Sequence, residues 1–243
     1  MKEHMGKFTV SKSSLEKFFS GCPYRYKLYR EWNMKDEHMP KALRNGIAVH
    51  AAIEDALTGT GEITKKEAHR VVNWVEKNGY KILGTEIKHW ATLTDEIALF
   101  GVIDAIAETR DGETVLIDWK TASSQWTASK TKDGVLVNMN AQGWQGPIYL
   151  TPPQESSIIR PSAWPTRMQY VVIPKSGTLG VFDYEMDEKD RQSLITAANI
   201  LKHAADTGSL PKNKGWQCNR CDFQKVCWET PGWEKFYEER KKK

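Results

Sequence analysis

Two aspartates and a lysine lie in apolar segments that follow each other closely in the sequence. Asp104 ends the segment GVID, while Asp118 and Lys120 belong to the segment IDWK. Side chains alternate along a strand, so Asp118 and Lys120 are expected on the same face. An aspartate inside an apolar strand is costly to bury unless a partner stabilises it. Two converging carboxylates and a lysine are components of a hydrolytic site for Mg²⁺ or Mn²⁺, in which the lysine orients water or neutralises developing charge.

A histidine and a glutamate further upstream are additional candidates for such a site. His50 lies in a predicted helix, and Glu86 lies at the start of the first predicted strand. Considered alone, each candidate has a simpler explanation, as a core histidine, a solvated acid or an ion pair at a strand end. The proposed chemistry therefore depends on whether the fold brings these side chains together.

The pattern of apolar residues predicts the elements that must position these side chains. Helical spacing predicts helices over 42–57, 64–77 and 187–206, and a short, imperfect helix over 141–150. Strands are predicted over 85–93, 96–108, 114–121, 167–173 and 178–186, with an exposed loop over 122–141. Ser13 and Thr64 are predicted N-caps, each followed three residues later by a glutamate. This order of elements is typical of a mixed α/β layer fold.

The composition indicates an ordinary soluble chain with a mild positive charge. Among 243 residues, 40% are hydrophobic and 27% charged, which excludes wholesale disorder and a disulfide-dense mini-protein. No apolar run approaches the ~20 residues of a membrane span, so no membrane association is expected. The first ten residues lack the apolar region of a secretory signal, so we expect a cytoplasmic protein. The net charge of +4 permits a polyanionic partner without requiring one.

Four cysteines form a second candidate metal site. Cys218, Cys221 and Cys227 lie close together, and Cys22 lies near the other end of the chain. Disulfides are not expected in a cytosolic chain, because its thiols are kept reduced. Four thiolates fit either a structural Zn²⁺ or a [4Fe–4S] cluster, and the residues alone do not choose between them.

The candidates of the first site occur in an order that resembles a known family. His50, Glu86, Asp104 and the Asp-x-Lys pair are followed by the segment QGPIY, a Gln-x-x-x-Tyr motif from Gln145 to Tyr149. This series resembles the PD-(D/E)XK nuclease superfamily in its RecB-like branch. Proline and glycine inside the last motif are unusual for a helix. The resemblance implies a restriction-endonuclease-like core over 1–210, with a mixed central sheet flanked by helices.

The resemblance also implies a role for each residue. His50, Asp104 and Asp118 would bind Mg²⁺ or Mn²⁺, and Lys120 would position the attacking water and stabilise the transition state. Glu86 would orient the water or the lysine. Gln145 and Tyr149 would hold the site or the substrate strand.

The cysteine spacing resembles the iron–sulfur nucleases within this branch, such as the AddB nuclease domain and the RecB-like exonucleases of CRISPR adaptation. That similarity implies a [4Fe–4S] cluster held by Cys22, Cys218, Cys221 and Cys227. The cluster would join a cysteine-rich segment, 211–243, to the N-terminal helix as one structural unit. A metal clip that closes such a long loop strongly restricts the unfolded chain.

The sequence thus predicts a metal-dependent DNA nuclease, most simply an exonuclease for single-stranded DNA or DNA ends. It would serve recombination, repair, CRISPR adaptation or phage DNA processing, with a helicase, recombinase or integrase-type protein as a partner. Trp126, with Lys130, is the best candidate for stacking on unpaired bases, and Arg25 for contacting phosphates. The alternative is a non-catalytic or redox-sensing nucleic-acid-binding subunit that keeps the nuclease fold.

Overall fold

The computed structural model describes residues 3–4, 6–32, 40–61, 63–122 and 143–228, arranged around one mixed sheet. The strands are β1 (Glu3–His4), β2 (Lys7–Ser11), β3 (Lys81–Thr92), β4 (Ile97–Glu108), β5 (Thr114–Ala122), β6 (Arg167–Pro174) and β7 (Gly180–Glu185). The α-helices are α1 (Lys12–Leu15), α2 (Pro23–Trp32), α3 (Lys41–Thr58), α4 (Lys66–Asn78), α5 (Gln145–Leu150), α6 (Glu188–Asp206) and α7 (Gln224–Trp228). A π-helical segment, Glu16–Gly21, and two 3-10 turns, Pro161–Ala163 and Trp216–Arg220, complete the described elements.

Strand β4 is the central strand, and its two edges are paired differently. The order along the sheet is β1-β2-β4-β5-β6-β7, and β3 pairs with β4 off this path. Strand β3 pairs with the other edge of β4 and runs antiparallel to it over almost the whole length of both strands. On the edge of β4 that faces away from β3, β2 runs parallel to residues 97–100, and β5 runs antiparallel to residues 105–108. Residues 101–104 pair with neither of these described strands, so this edge of β4 has an opening between two partners.

Helices cover both faces of the sheet and enclose two apolar cores. On one face, Val49 and Ile53 of α3 and Val71 of α4 pack with Ile117 and other residues of the sheet. On the other face, α5 and α6 pack with the opposite side chains of β4, β5 and β6. Strands β5 and β6 are parallel, and β6 and β7 form an antiparallel hairpin. The predicted mixed sheet flanked by helices is therefore confirmed for the described residues.

Several element boundaries differ from the sequence-based prediction. Helix α1 is capped by Ser11, with Ser14 three residues later, rather than by Ser13. The reason is that β2 continues to Ser11, and this short strand was not predicted. Helix α4 follows Lys65, which makes no side-chain cap, so the predicted cap at Thr64 does not form. Strand β3 begins at Lys81, four residues earlier than expected.

The segment 211–228 packs against α2, near the other end of the chain. The amide of Tyr24 donates to the carbonyl of Pro211, and the amide of Asn213 lies 3.4 Å from Cys22 Sγ. Phe223 and Leu28 are buried together in a small third cluster. Trp126, Lys130 and residues 229–243 lie outside the described residues. Within the described part, no helix combines the length and apolarity that crossing a membrane requires.

Candidate active site

The opening between β4 and β5 brings two of the predicted acids together. The last residue pair between these strands is Ala105 with Ile117. Asp104 and Asp118 are the chain neighbours of this pair on the side where the strands separate. Instead of continuing the ladder, Asp104 Oδ2 accepts a hydrogen bond of 2.8 Å from the amide of Trp119. The Asp104 side chain thus replaces a backbone acceptor where the strands separate, and this holds it in a fixed position.

Three side chains from three elements converge at this opening. Ligand atoms of His50 on α3, Glu86 on β3 and Asp104 on β4 all lie within 4.8 Å of one another. His50 Nδ1 lies 3.6 Å from Asp104 Oδ2. One imidazole nitrogen and two carboxylates are a suitable set for Mn²⁺ or Mg²⁺. This set contains Glu86, for which no ligand role was predicted, and lacks Asp118, for which one was.

The backbone at Glu86 has an unusual conformation. Its φ is +49°, and it is the only non-glycine residue with positive φ in the described chain. This left-handed conformation costs an L-residue roughly 1–2 kcal/mol. Strain of this kind persists where the surrounding structure requires it, often at functional sites. At Glu86 the strained backbone accompanies a carboxylate that faces His50 and Asp104.

Electrostatics in this cluster favour a bound cation. Burial raises the pKa of the Glu86 carboxyl, and the neighbouring charge of Asp104 raises it further. Burial alone would lower the pKa of His50, but the hydrogen bond and negative charge of Asp104 outweigh it, so this pKa is raised. The negative charge of Asp104 thus contributes to both shifts. A divalent cation would relieve that repulsion.

The three side chains line a cavity of about 500 Å³. Lys120 lines the same cavity, and we call this space the acidic cavity. Leu43 and Ile47 on α3 form an exposed apolar part of its wall. The cavity is large enough to admit part of a polymeric substrate beside a metal ion.

Asp118 lies behind Lys120 and is only 1% exposed. Its carboxylate forms an ion pair with the Lys120 ammonium and accepts a hydrogen bond from Gln145 Nε2. Burial raises the pKa of the Asp118 carboxyl, although the positive charge of Lys120 opposes the shift. The predicted proximity of Asp118 and Lys120 is therefore present, and Asp118 is placed to hold the lysine.

Helix α5 carries the Gln-x-x-x-Tyr motif into the opening of the sheet. The Tyr149 hydroxyl donates a hydrogen bond of 2.6 Å to the carbonyl of Val102, which the separated strands leave without a ladder partner. The Tyr149 ring needs glycine at position 101, because a Cβ there would lie 2.2 Å from Cε1 of the ring. Pro147 lies in the first turn of α5, where a missing N–H is tolerated. The motif is thus compatible with a short helix despite its proline.

His89, which the sequence analysis missed, holds α5 in place. It is 1% exposed, its Nε2 lies 3.1 Å from the carbonyl of Ile148, and its ring stacks on Trp164 with centroids 5.2 Å apart. Burial lowers the pKa of His89 to about 4, against the opposing effect of the carbonyls of Ile148 and Thr151. A histidine in the alternating segment KHWAT carries no sequence signal for this role.

Lys12, also missed, is a second cation near the acidic cavity. Burial lowers the pKa of Lys12, and the positive charge of Lys120 lowers it further, while Glu16 and Asp118 oppose the shift. Its place at the start of α1 follows from β2, which was not predicted. The sequence therefore gave no reason to associate it with the site.

The four cysteines line one cavity of about 440 Å³, which we call the cysteine cavity. All four are free thiols, and burial raises the pKa of Cys221 and Cys227. In a tetrahedral zinc site the sulfurs would lie about 3.8 Å apart, given Zn–S bonds of about 2.3 Å. Among the described residues, the cysteines form no group of ligand atoms within 4.8 Å. Arg25 lines this cavity rather than the acidic one.

Comparisons with known proteins agree with this architecture. The family model described as the PD-(D/E)XK nuclease superfamily matches residues 61–228. No curated protein matches the sequence. A solved structure of a candidate exonuclease from Eubacterium rectale has a TM-score of 0.59 at 15% identity, covering 92% of this chain and 89% of the other.

Two further solved structures are similar at low identity. The protein SSO0001 has a TM-score of 0.50 at 16% identity, covering 93% of this chain and 88% of its own. An alkaline exonuclease from Laribacter hongkongensis has a TM-score of 0.38 at 15% identity, covering 84% of this chain and 90% of its own. The structural likenesses concern the fold alone. The family match spans more than half of the sequence, and the chain therefore belongs to the PD-(D/E)XK nuclease superfamily.

Proposed function

We propose that this protein is a divalent-metal-dependent deoxyribonuclease, acting as an exonuclease on single-stranded DNA or DNA ends. The observation that carries the proposal is the cluster of His50, Glu86 and Asp104 in a cavity that Lys120 also lines. Membership of the nuclease superfamily supports phosphodiester hydrolysis. Exonucleolytic action is proposed by analogy with the candidate exonuclease from Eubacterium rectale, which shares this fold.

In this proposal His50, Glu86 and Asp104 would hold Mg²⁺ or Mn²⁺. The ion would supply Lewis-acid polarisation of a phosphoryl oxygen and lower the pKa of bound water. The amide of Trp119 keeps the Asp104 carboxylate oriented toward the other two ligands. The predicted ligand role of Asp118 stays a prediction, because its carboxylate contacts Lys120 and Gln145 in this arrangement.

Lys120 is the group of this chain that would act on the phosphate. Its ammonium donates hydrogen bonds to the attacking water or to a non-bridging oxygen, where negative charge develops in the transition state. Asp118 directs Lys120 through their ion pair, and Gln145 in turn fixes Asp118 through a hydrogen bond. Tyr149 accepts a 3.2 Å hydrogen bond from Gln145 Nε2, so α5 supports the lysine indirectly.

The proposal is tested by cleavage of end-labelled single-stranded and double-stranded DNA with Mg²⁺ or Mn²⁺. We expect Lys120→Ala to bind DNA and lose cleavage, and Glu86→Gln to lose metal-dependent cleavage. Glu185→Gln, on the exposed face of β7, is the matched control and should cleave normally. Full cleavage by Lys120→Ala would remove Lys120 from the mechanism. The ladder of products gives the polarity and separates exonucleolytic from endonucleolytic cleavage.

A second part of the proposal concerns the cysteine cavity. We propose that Cys22, Cys218, Cys221 and Cys227 hold a [4Fe–4S] cluster that joins segment 211–228 to α2. The proposal is supported by the four free thiols, which all line one cavity. Four thiolates are the ligand set of such a cluster.

Metal analysis of protein purified without air tests the cluster. We expect about four irons with equimolar acid-labile sulfide per chain, and a lower melting temperature after Cys227→Ala. Ser20→Ala, which changes another residue of the same cavity, should retain the iron. Zinc without iron or sulfide would show that the iron–sulfur assignment is wrong. A chain with an intact cluster that cleaves no DNA would favour the non-catalytic or redox-sensing alternative.

A further inference from the structure

A second cavity, of about 600 Å³, adjoins the acidic cavity. Ala42 and Thr121 line both spaces, so the two cavities share part of their walls. At Gly46, α3 comes so close to β5 that a Cβ would lie 3.3 Å from Thr121 Oγ1. The two cavities therefore open next to each other along this contact between α3 and β5.

The second cavity lies at the carboxyl ends of two parallel strands. Ala122 ends β5 and pairs with Pro174 at the end of β6, and Ala122 and Ile173 both line the space. In open α/β sheets, ligands bind in the crevice outside the carboxyl ends of the strands. The position is thus one where this type of sheet commonly binds a ligand.

The charge of this space is opposite to that of the acidic cavity. Three exposed lysines line it, namely Lys41, Lys66 and Lys175, and we call it the lysine cavity. In the part of the chain that the structure describes, none of these lysines forms an ion pair. Glu67 is the one carboxylate among the described lining residues, and Asn45 adds a neutral amide. The cavity therefore has a net positive charge directed at solvent.

This pairing of cavities addresses an electrostatic difficulty of the proposed reaction. Glu54, Glu86 and Asp104 line the acidic cavity, and without a metal they repel a polyanion. A strand held only at the scissile phosphate would depend entirely on the cation for its attraction. Lysines next to that site would bind the neighbouring phosphates, because the three lysines outnumber the single described carboxylate, Glu67, that lines the same cavity.

Building on the nuclease function proposed above, we propose that the lysine cavity binds the backbone phosphates of the substrate strand next to the scissile bond. Lys41, Lys66 and Lys175 contact phosphate oxygens and Asn45 donates a hydrogen bond. The strand then crosses the contact between Ala42 and Thr121 into the acidic cavity. Backbone phosphates carry no base information, so this contact is independent of sequence.

The proposal is tested first by binding rather than cleavage. The affinity for a fluorescent 20-nucleotide single strand is measured in Ca²⁺ at increasing salt, for wild type and the variant K41Q/K66Q/K175Q. Each phosphate contact on a single strand contributes about 0.7 to the slope of log affinity against log salt, so the slope should fall by about 2. Between 50 and 200 mM salt, the wild type should then lose roughly 20-fold more affinity than the variant.

A matched control separates this cavity from general surface charge. The variant K77Q/K81Q/K189Q removes three exposed lysines that line neither cavity, and Lys77 lies on the same helix as Lys66. We expect this control to keep the wild-type salt slope, and the charge-preserving variant K41R/K66R/K175R to retain most of it. An unchanged slope in K41Q/K66Q/K175Q would overturn the proposal.

Cleavage supplies a second readout that separates failure of this proposal from failure of the nuclease function. A small phosphodiester such as bis(p-nitrophenyl) phosphate reaches only the acidic cavity, whereas a long strand would reach both. We expect the ratio of kcat/KM for the strand to that for the small diester to fall at least tenfold in K41Q/K66Q/K175Q, and an unchanged ratio would contradict the proposal. If the wild type cleaves neither substrate, the nuclease function fails while the salt slope still decides this inference.

The phosphate could belong to the interior of the strand or to its end. Strands with 5′-phosphate, 3′-phosphate and hydroxyl ends are therefore compared in the binding assay. We expect the lysine substitutions to weaken all of them equally, because interior phosphates are present in each. A loss confined to strands with a phosphorylated end would overturn the assignment to backbone phosphates.

Discussion

His89 provides the sharpest test of how the buried site responds to pH. Its Nε2 faces the carbonyl of Ile148 in α5, and its Nδ1 is buried without a hydrogen-bond partner among the described residues. Protonation of the ring would bring a charge into a buried region, and the carbonyls of Ile148 and Thr151 offset only part of that cost, so burial lowers this pKa. Because α5 also carries Gln145 and Tyr149, protonation of His89 should loosen the support of Asp118.

The size of the effect follows from the pKa in the two states. The pKa is 6.5 in the unfolded chain and about 4 in the folded protein. Between these values the unfolded chain binds a proton that the folded protein excludes, so the free energy of unfolding decreases as the pH falls. The decrease is about 2 kcal/mol from pH 7.5 to pH 5, and it reaches about 3 kcal/mol below pH 4.

Urea unfolding at pH 7.5, 6.5, 5.5 and 5 measures this loss in wild type and in His89→Gln. Glutamine retains an N–H donor for the Ile148 carbonyl and does not titrate, so the variant should lose about 2 kcal/mol less than wild type over this range. His203→Gln, which changes an exposed histidine on α6, should behave like wild type. If wild type and His89→Gln lose stability in parallel, the assignment of the pH dependence to His89 is refuted.

Three further changes test the opening of the sheet, each by urea unfolding. Glu86→Gly should be more stable than Glu86→Ala by about 1 kcal/mol, because both lack the carboxylate but only glycine tolerates the positive φ without strain; equal stabilities would contradict the strain. Tyr149→Phe should lose about 1–3 kcal/mol, because the Val102 carbonyl keeps no donor in its place; no loss would show that water replaces the hydroxyl. Gly101→Ala should lose about 1–3 kcal/mol by overpacking against the Tyr149 ring. That loss should shrink in a Tyr149→Ala background, and additive effects would rule out the clash.

The sequence predicted most accurately those strands and helices in which candidate site residues lie within a clear pattern of apolar residues. The strands around Asp104 and Asp118 were predicted within one residue, because both are mostly apolar runs with few charged residues. The long helices were predicted with similar accuracy, since glycines end α3 and α4. The order of His50, the acids and Lys120 indicated a common site because it resembles the order of motifs in the PD-(D/E)XK nuclease superfamily.

Features that depend on tertiary geometry could not be predicted. Glu86 was predicted to belong to the site but not to the ligand cluster, which it enters through a backbone conformation that its residue type disfavours. Strand β2 is short, and its parallel pairing with β4 joins distant positions that no local pattern connects. The lysine cavity likewise gathers Lys41 and Lys66 from two helices and Lys175 from the turn after β6. The helicase, recombinase or integrase-type protein partners stay a prediction.

The parallel pairing of β2 with β4 has a consequence for how the chain folds. Phe8 and Ile97 are partners although they lie about 90 positions apart, and forming this contact closes a long loop at a considerable entropic cost. Such non-local pairing slows folding, and meanwhile residues 97–100 present an unpaired strand edge that promotes aggregation. We therefore expect the N-terminal strand to dock late, so that in folding intermediates the opening of β4 is bounded on one side only. Lys12, which directly follows β2, would then reach its place near Lys120 and Asp118 only as this last β-pairing forms.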